Sequence, residues 1–336
     1  MLVATETISL EDELPARELS SERYWTENYC YIAYDHESRV GLYLHIGRWL
    51  QDPSIWRECV YVYLPDGTTL NYRSLGRGDC SNGPAGALVR YDCREPGQLW
   101  VVNFTGPTNH FTKQDILGGE AQRERVLEYM QMEVTFRATG PIMHYRIDDN
   151  RSIGRWHYEQ ELAVDATIAH KGKTYRMSAG QGWRDHTRGP RWLGNVLGHF
   201  NIQARLPDGR SVSAFQVWEQ REGKEVRIVD EARVVKDGKF VDAKIVYGSR
   251  LHGIENIDDD ILLTLDTADE RIELVGQPLN LMIYSNTPTF EILYGFAPKS
   301  APYVCFNQPT QFHYRDTIVG GSTERTKWFG PMPWEG

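Results

Sequence analysis

The strongest constraint on the fold is a long series of short segments in which apolar and polar residues alternate, separated by turn residues. Such segments occupy residues 28–35, 39–49 and 56–64, and again 197–205, 212–220 and 226–235. Alternation with a period of two is typical of strands that bury one face. Leu-Pro-Asp-Gly at 64–67 and at 206–209 predicts a tight hairpin in each half. The chain is therefore predicted to be mainly β, with two antiparallel barrels or sandwiches.

Helix signals are few, and the length suits two domains. We expect a short amphipathic helix over residues 10–25 and a second helix over 113–129, which Gly118 and Gly119 would interrupt. A chain of 336 residues is long enough for two β domains with cores of their own. We divide it into an N-terminal domain, 1–165, and a C-terminal domain, 166–336.

The net charge argues against some binding partners, and the N-terminus and the cysteines indicate a compartment. The 37 Lys and Arg residues against 46 Asp and Glu leave a net charge of −9, which argues against nucleic acid as a partner. The N-terminus lacks the basic and apolar regions of a secretory signal, and no apolar stretch is long enough to span a membrane. The five cysteines show no CxxC spacing. We expect a reduced, cytoplasmic protein; whether it forms a homodimer stays open.

The first segment suited to chemistry is Trp-His-Tyr-Glu-Gln at 156–160. On a strand, His157 and Glu159 point to one face, while Trp156, Tyr158 and Gln160 point to the other. A carboxylate beside an imidazole fixes its tautomer and raises its pKa, which suits general acid–base catalysis. A half-exposed strand with a surface His–Glu pair explains the same letters, and the spacing alone favours neither interpretation.

The second segment is Gly-Gln-Gly-Trp-Arg-Asp-His-Thr-Arg-Gly-Pro-Arg-Trp at 180–192. Its glycines, proline and charges predict an ordered loop instead of a strand or a helix. Such a loop could present Asp185 and His186 to a pocket, with Arg184 or Arg191 binding a polar group of the ligand. The alternative is a structural contact between domains, in which Arg184 and Asp185 pair with each other.

Several common classes of site have no signature in the chain. No HxH, HExxH or clustered Cys/His spacing predicts a metal centre. Nucleotide-binding glycine motifs and the GxSxG elbow are missing as well. We therefore expect neither a metal nor a cofactor.

At these two segments the sequence resembles the AttH-like and hydroxyneurosporene-synthase-like proteins, a lipocalin-related (calycin) family that includes carotenoid hydratases. The resemblance is carried by the letters at 156–160 and at 180–192, where Thr187 and Arg188 replace the Ser-Trp of the family pattern. Elsewhere it is one of strand rhythm and length. It implies two lipocalin-like β-barrel domains packed side by side over nearly the whole chain, with a ligand site near their junction.

The resemblance also implies an activity. The family handles hydrophobic substrates without a cofactor, which implies a lyase or isomerase of the hydratase or dehydratase type, acting on an apolar small molecule such as a terpenoid or polyketide. Asp185 or Glu159 would be the acid, because an apolar site keeps a carboxyl group partly protonated. His157 or His186 would position or deprotonate water.

Aromatic residues would line such a pocket and stabilise a cation. The residues concerned are Trp156, Tyr158, Trp183 and Trp192. Because residues alternate along a strand, His157 and Tyr158 cannot face the same cavity. Two further hypotheses are a non-catalytic carrier of a hydrophobic ligand and a pericyclase that works by shape.

Overall fold

The computed structural model describes residues 2–5, 7–78, 81–117, 126–145, 156–191, 196–286, 292–294 and 303–328. It divides into two compact units, the first comprising residues 1–112 and 123–192 and the second residues 113–122 and 193–336. Each unit is built on a closed antiparallel barrel of eight strands. The predicted fold class is therefore confirmed.

The described residues of the first unit form eleven strands and one short helix, α1 (Leu10–Glu13). The strands are β1 (Leu2–Thr5), β2 (Trp25–Asp35), β3 (Val40–Trp49), β4 (Asp52–Tyr63), β5 (Thr69–Gly76), β6 (Val89–Glu95), β7 (Leu99–Phe111), β8 (Glu128–Ala138), β9 (Ile142–Tyr145), β10 (Trp156–His170) and β11 (Lys173–Pro190). The barrel runs in the order β10-β11-β2-β3-β4-β5-β7-β8 and closes where β8 pairs with β10. Strands β1, β6 and β9 lie outside this circuit.

In the second unit, the part of the chain that the structure describes forms ten strands, α2 (Lys113–Leu117) and a 3₁₀ turn at Ile254–Asn256. The strands are β12 (Val196–Arg205), β13 (Ser211–Arg221), β14 (Lys224–Lys236), β15 (Lys239–Gly248), β16 (Ile261–Thr267), β17 (Arg271–Pro278), β18 (Met282–Asn286), β19 (Ile292–Tyr294), β20 (Tyr303–Tyr314) and β21 (Thr317–Trp328). Its barrel runs from β12 to β17 through successive hairpins and closes through β20 and β21.

Both Leu-Pro-Asp-Gly hairpins form as predicted. Gly67 joins β4 to β5 with a φ of 86°, and Gly209 joins β12 to β13 with a φ of 84°. Only glycine adopts this left-handed conformation without strain. In both turns the glycine N–H donates to the carbonyl of the leucine three residues earlier, at 3.0 Å.

The N-terminal helix is much shorter than predicted. It ends at Glu13, and Leu14 is already extended, with ψ of 162°. Pro15 explains this end, because its ring disfavours helical backbone at the preceding residue. The second predicted helix begins at Lys113 as expected, but its described part ends at Leu117, and residues 118–125 lie outside the described range.

The division between the units differs from the predicted boundary at 165/166. That boundary would cut β10, which pairs along its length with β11 and with β8. Since both β10 and β11 are needed to close the first barrel, the first unit extends to residue 192. Sequence spacing could not show this, because a hairpin looks the same at the end of one barrel as at the start of the next.

The centre of each barrel is apolar. In the first barrel, interior positions of β10 carry Leu162, Val164 and Ile168, packed against Val134 and Phe136 of β8. The two ends of this barrel instead contain buried polar side chains, among them Glu13 and Glu27 at one end and His170 at the other. Within the described residues, no helix is long and apolar enough to cross a membrane.

Candidate active site

The segment 180–192 is a strand, and the prediction of a loop is wrong. Residues up to Pro190 belong to β11, which pairs with β10 on one side and with β2 on the other. Its glycines are compatible with a strand because neighbouring chains approach closely. A Cβ at Gly182 would lie 2.7 Å from the Ile32 carbonyl oxygen and 2.8 Å from Val164. Glycine here permits the sheet and does not interrupt it.

Because β11 is a strand, adjacent residues point to opposite faces of the barrel wall. His186 and Arg184 point into the barrel with Tyr158 of β10, whereas Asp185 does not. The proposed pairing of Asp185 and His186 in one pocket is therefore not formed. The predicted site residues separate into an inner set and an outer set.

Arg184 is the centre of the first inner network. Its guanidinium donates to Glu13 Oε1 at 2.5 Å and to Gln160 Oε1 at 2.7 and 3.0 Å. The Tyr158 hydroxyl donates to Glu13 Oε2 at 2.9 Å, and Arg184 Nη1 donates to the Tyr31 hydroxyl at 3.2 Å. Helix α1 thus inserts a fully buried carboxylate into one end of the barrel. Arg184 pairs with Glu13, and neither Asp185 nor a ligand is needed to neutralise it.

His186 belongs to a second inner network around Glu27. The Glu27 carboxylate accepts from Arg188 Nε at 2.7 Å and Arg48 Nε at 2.9 Å, and His186 Nε2 lies 3.1 Å away. Burial would raise the pKa of Glu27, but His186 and the two guanidinium groups lower it to about 2. Burial lowers the pKa of His186 to about 4, against the opposing effect of Glu27. His186 is therefore neutral at pH 7 and donates to a carboxylate.

Trp156 packs against the Glu27 network inside the same end of the barrel. Its ring meets His186 edge-on at 4.9 Å and lies beneath the Arg188 guanidinium at 4.9 Å. Tyr29 stacks on the other side of His186, with ring centroids 3.8 Å apart. His186 is thus enclosed by aromatic rings and cations, a setting that holds the barrel end together.

The outer face of the same hairpin carries a separate chain of polar contacts. His157 Nδ1 lies 2.7 Å from Thr187 Oγ1, and the Thr187 hydroxyl donates to Asp185 Oδ1 at 3.3 Å. His157 Nε2 lies 3.6 Å from Glu159 Oε1. Since the Thr187 proton is directed to Asp185, Thr187 accepts from His157 Nδ1–H. We call Glu159, His157, Thr187 and Asp185 the outer relay.

The outer relay combines protection from water with access. His157, Glu159 and Thr187 are buried, while Asp185 is partly exposed. Glu159 and Asp185 are direct neighbours across the β10–β11 pair. Two carboxylates and an imidazole are thus joined on one surface, as the alternation of β10 predicts for His157 and Glu159.

Sequence reasoning missed the continuation of this surface onto β2, β3 and β4. Register places Thr187 beside Asn28, then Gly47, then Arg57. The row next to it holds Asp185, Cys30, His45 and Cys59 in the same order of strands. These residues come from distant hairpins, and nothing in their local spacing indicates a site.

Arg57 is unusual on this surface. It is 4% exposed, yet within the described ranges none of its guanidinium nitrogens has a hydrogen-bond partner. Asn28 Oδ1 and His45 Nδ1 are buried and likewise lack partners there. Burial lowers the pKa of His45 well below its usual range, and the charges of Arg57 and Arg191 lower it further. Gly47 makes room for Asn28, since a Cβ would lie 2.2 Å from its Oδ1.

Aromatic side chains border the relay. Trp183 is buried on β11, and register continues from it through Ile32 to Tyr43 and Tyr61. Tyr43 and Tyr61 meet edge-on at 6.3 Å. Among the predicted pocket residues, Trp183 thus lies on the outer side, whereas Trp156 and Tyr158 lie on the inner one.

Arg191 and Trp192 are the last two of the predicted ligand-binding residues. Arg191 follows β11 directly, where its backbone N–H donates to the Tyr24 carbonyl at 3.0 Å, and its charge acts on His45. Trp192 lies outside the described residues. In the described part of the chain, one group of two histidines and a glutamate, at the other end of the first barrel, has ligand atoms within 4.8 Å of one another.

Comparisons with known proteins agree with this architecture. A family model, "Domain of unknown function (DUF7064)", matches residues 9–286. No curated protein sequence matches the chain.

Solved structures show the same fold at low sequence identity. An AttH protein from Nitrosomonas europaea has a TM-score of 0.54 at 13% identity, covering 94% of this chain and 98% of its own. CghA has a TM-score of 0.52 at 10% identity, covering 98% of both chains. Kievitone hydratase from Nectria haematococca has a TM-score of 0.52 at 9% identity, covering 93% of this chain and 90% of its own. The fold implied by the resemblance to AttH-like proteins is thus confirmed.

Proposed function

The chain belongs to the DUF7064 family, and we propose that it is a cofactor-independent hydro-lyase of the hydratase type, acting on an apolar small molecule such as a terpenoid or polyketide. The observation that carries this proposal is the outer relay, in which a partly exposed carboxyl group and an imidazole are connected through Thr187. One structure with this fold is named a hydratase, which supports the reaction class.

The relay supplies the two proton transfers that hydration of an alkene requires. Asp185, as the carboxylic acid, donates its proton to one alkene carbon and leaves a cation on the other. Water attacks that carbon through its oxygen and loses a proton to His157 Nε2. The alkene thereby gains one hydrogen and one hydroxyl group, and no oxidant or reductant is consumed.

Thr187 connects His157 to Asp185, so that Asp185 regains a proton after it has protonated the alkene. When His157 Nε2 takes a proton, Nδ1–H passes its own to Thr187 Oγ1, 2.7 Å away. The Thr187 hydroxyl then passes its proton to Asp185 at 3.3 Å. Glu159, 3.6 Å from His157 Nε2, stabilises the imidazolium that forms in between. Acid and base are thus regenerated in one turnover.

The neighbouring side chains suit an apolar substrate with a polar group. Trp183 and the tyrosines of β3 and β4 provide aromatic faces for the cationic intermediate. Arg57 offers buried donors and Asn28 a buried acceptor. We infer that a carbonyl, carboxylate or hydroxyl group of the substrate binds there, since a ligand would satisfy these groups.

The carrier hypothesis receives less support. A lipocalin-type carrier holds its ligand inside the barrel. The interior of the first barrel is occupied by its apolar core and, at one end, by the Arg184 and Glu27 networks.

The test is incorporation of heavy oxygen from labelled water. The full chain is incubated with a panel of terpenoid and polyketide alkenes, begun with any compound that solvent extracts from the purified protein, and products are analysed by mass spectrometry. We expect a labelled alcohol from the wild type. Asp185→Asn and Glu159→Gln should lower turnover by about 100- to 10,000-fold, with unchanged thermal unfolding.

Asp165→Asn is the matched control. Asp165 is an exposed carboxylate of the same strand β10, paired with Arg137, and its loss should leave turnover unchanged. Full activity in both the Asp185 and Glu159 variants would refute the acid–base mechanism. An unlabelled product whose formation survives these changes but not Trp183→Ala would indicate a pericyclase.

A further inference from the structure

A second cluster of ionisable side chains lies at the end of the first barrel remote from α1. Its members are His110 near the end of β7, Glu128 at the start of β8 and His170 at the end of β10. His110 is opposite Leu70, a core residue, and His170 follows Ile168 by two positions, so both take interior positions. His157 and His170 lie about 40 Å apart along β10 at roughly 3.3 Å per residue, which separates this cluster from the outer relay.

Three ligand atoms of this cluster converge. His170 Nε2 lies 2.6 Å from Glu128 Oε2, and His110 Nδ1 lies 3.1 Å from the same oxygen. All three atoms lie within 4.8 Å of one another. The second carboxylate oxygen, Oε1, is paired with the Lys171 ammonium, which leaves Oε2 directed to the two imidazoles.

The contacts of His110 direct one of its ring nitrogens to a hydroxyl group and the other to the Glu128 carboxylate. Its Nε2 lies 2.7 Å from Thr68 Oγ1, and the Thr68 hydroxyl donates to Asp66 Oδ1 at 2.6 Å. Thr68 therefore accepts from His110 Nε2–H. With Nε2 bound to Thr68, His110 Nδ1 is the nitrogen that faces Glu128 Oε2, 3.1 Å away, and it is the nitrogen available to a metal ion.

We propose that His110, Glu128 and His170 form a binding site for a divalent transition-metal ion of the zinc type. Two imidazole nitrogens and one carboxylate oxygen are a ligand set that zinc accepts, with the fourth position left to water. Hydrogen bonding of a ligand imidazole through its other nitrogen is the usual support of a metal site, and the Thr68–Asp66 pair supplies it for His110.

The burial of the three side chains suits this arrangement. The His170 side chain is 3% exposed, that of Glu128 15% and that of His110 26%. The site is thus closed on the barrel side and accessible from outside. A bound ion would join the ends of β7, β8 and β10, and this role is independent of the hydratase proposal. The sequence did not predict the site, because its ligands come from three separate strands.

The test is titration of the chelator-treated full chain with zinc alone, followed by calorimetry, and with cobalt, followed by visible absorption. We expect one ion per chain with Kd of about 1 μM or below. His110→Gln and His170→Gln should each weaken binding by at least about 100-fold. Thr68→Val, which keeps all three ligands, should weaken it by about 10-fold or more.

His199→Gln is the matched control. His199 also pairs with a carboxylate, Glu324, at 2.9 Å, but in the second unit, and its loss should leave the affinity unchanged. Circular dichroism identifies any variant that fails to fold. X-ray absorption of the zinc-loaded wild type should then show two imidazole ligands, and a spectrum without imidazole would overturn the proposal.

Two other results would also overturn it. One is failure of the wild type to bind a stoichiometric ion. The other is an NMR spectrum in which His110 carries protons on both nitrogens at neutral pH and stays so in the presence of zinc, because a proton would then occupy the place assigned to the metal.

Discussion

The two faces of the β10–β11 hairpin differ in how their polar side chains are neutralised. On the inner face, Arg184 and His186 are held by buried carboxylates of α1 and β2. On the outer face, Asp185 is partly exposed, and on the same side of the sheet Arg57 of β4 is buried without a hydrogen-bond partner in the described part of the chain. A satisfied network stabilises a fold, whereas groups left to a ligand serve binding and catalysis. We therefore propose that the inner face, where ion pairs neutralise the buried charges, stabilises the fold, and that the outer face is the candidate for function.

The largest effect should come from breaking the inner network. Arg184→Met removes the partner of fully buried Glu13 and should lower the free energy of unfolding by about 3–5 kcal/mol, because an unpaired charge is left inside the barrel. Urea unfolding followed by circular dichroism measures this loss. A change below about 1 kcal/mol would show that the inner network is not what stabilises this end.

The second-largest loss of stability should come from acid, which protonates His186 in the inner network. The pKa of His186 is about 4 in the folded protein against an ordinary value of 6.5. As the pH falls below 6.5 the unfolded chain binds the proton first, so stability present above 6.5 is lost as the pH falls to 4. The loss should reach about 3 kcal/mol at 1.36 kcal/mol per pKa unit.

Urea midpoints at pH 7 and pH 4 measure this loss. In His186→Gln, the difference between the two midpoints should be smaller, since the group that titrates is gone. An equal difference in both proteins would assign the acid sensitivity to other groups.

On the outer face, Thr187→Val should affect turnover more than stability. Removal of the hydroxyl interrupts the proton path between His157 and Asp185, so turnover should fall about 10- to 100-fold, while unfolding changes by about 1 kcal/mol. Thr187→Ser restores the hydroxyl and should restore turnover. Equal activity of the Val and Ser variants would exclude Thr187 from the proton path.

A small effect on stability, of opposite sign to the others, is expected for Arg57→Met. Because this guanidinium is buried without a partner among the described residues, its replacement should raise the free energy of unfolding by about 1 kcal/mol. The KM for the substrate should rise at the same time. Arg73→Met, at an exposed position of β5, is the control and should change neither by much. Destabilisation comparable to that of Arg184→Met would mean that Arg57 is structural too.

Local patterns predicted much of the fold but little of the site. Most strands begin and end near the predicted positions because each buries one face, and burial on one face leaves a period of two in the sequence. The error at 180–190 has a definite cause. Gly180 and Gly182 predict a loop by residue type, but in the structure they allow β11 to pack closely on its neighbours, which no local pattern reveals.

The sequence by itself determined the mainly β class, the two Leu-Pro-Asp-Gly hairpins and the shared face of His157 and Glu159, since each depends on neighbours a few residues apart. Tertiary structure alone decided that Arg184 pairs with Glu13 and that Arg57, three strands from Thr187, lies on the same face of the sheet as the relay. Both arrangements involve residues separated by tens of positions or more. Closure of a barrel brings such residues together through strand register, which is a property of the whole sheet and not of any one segment.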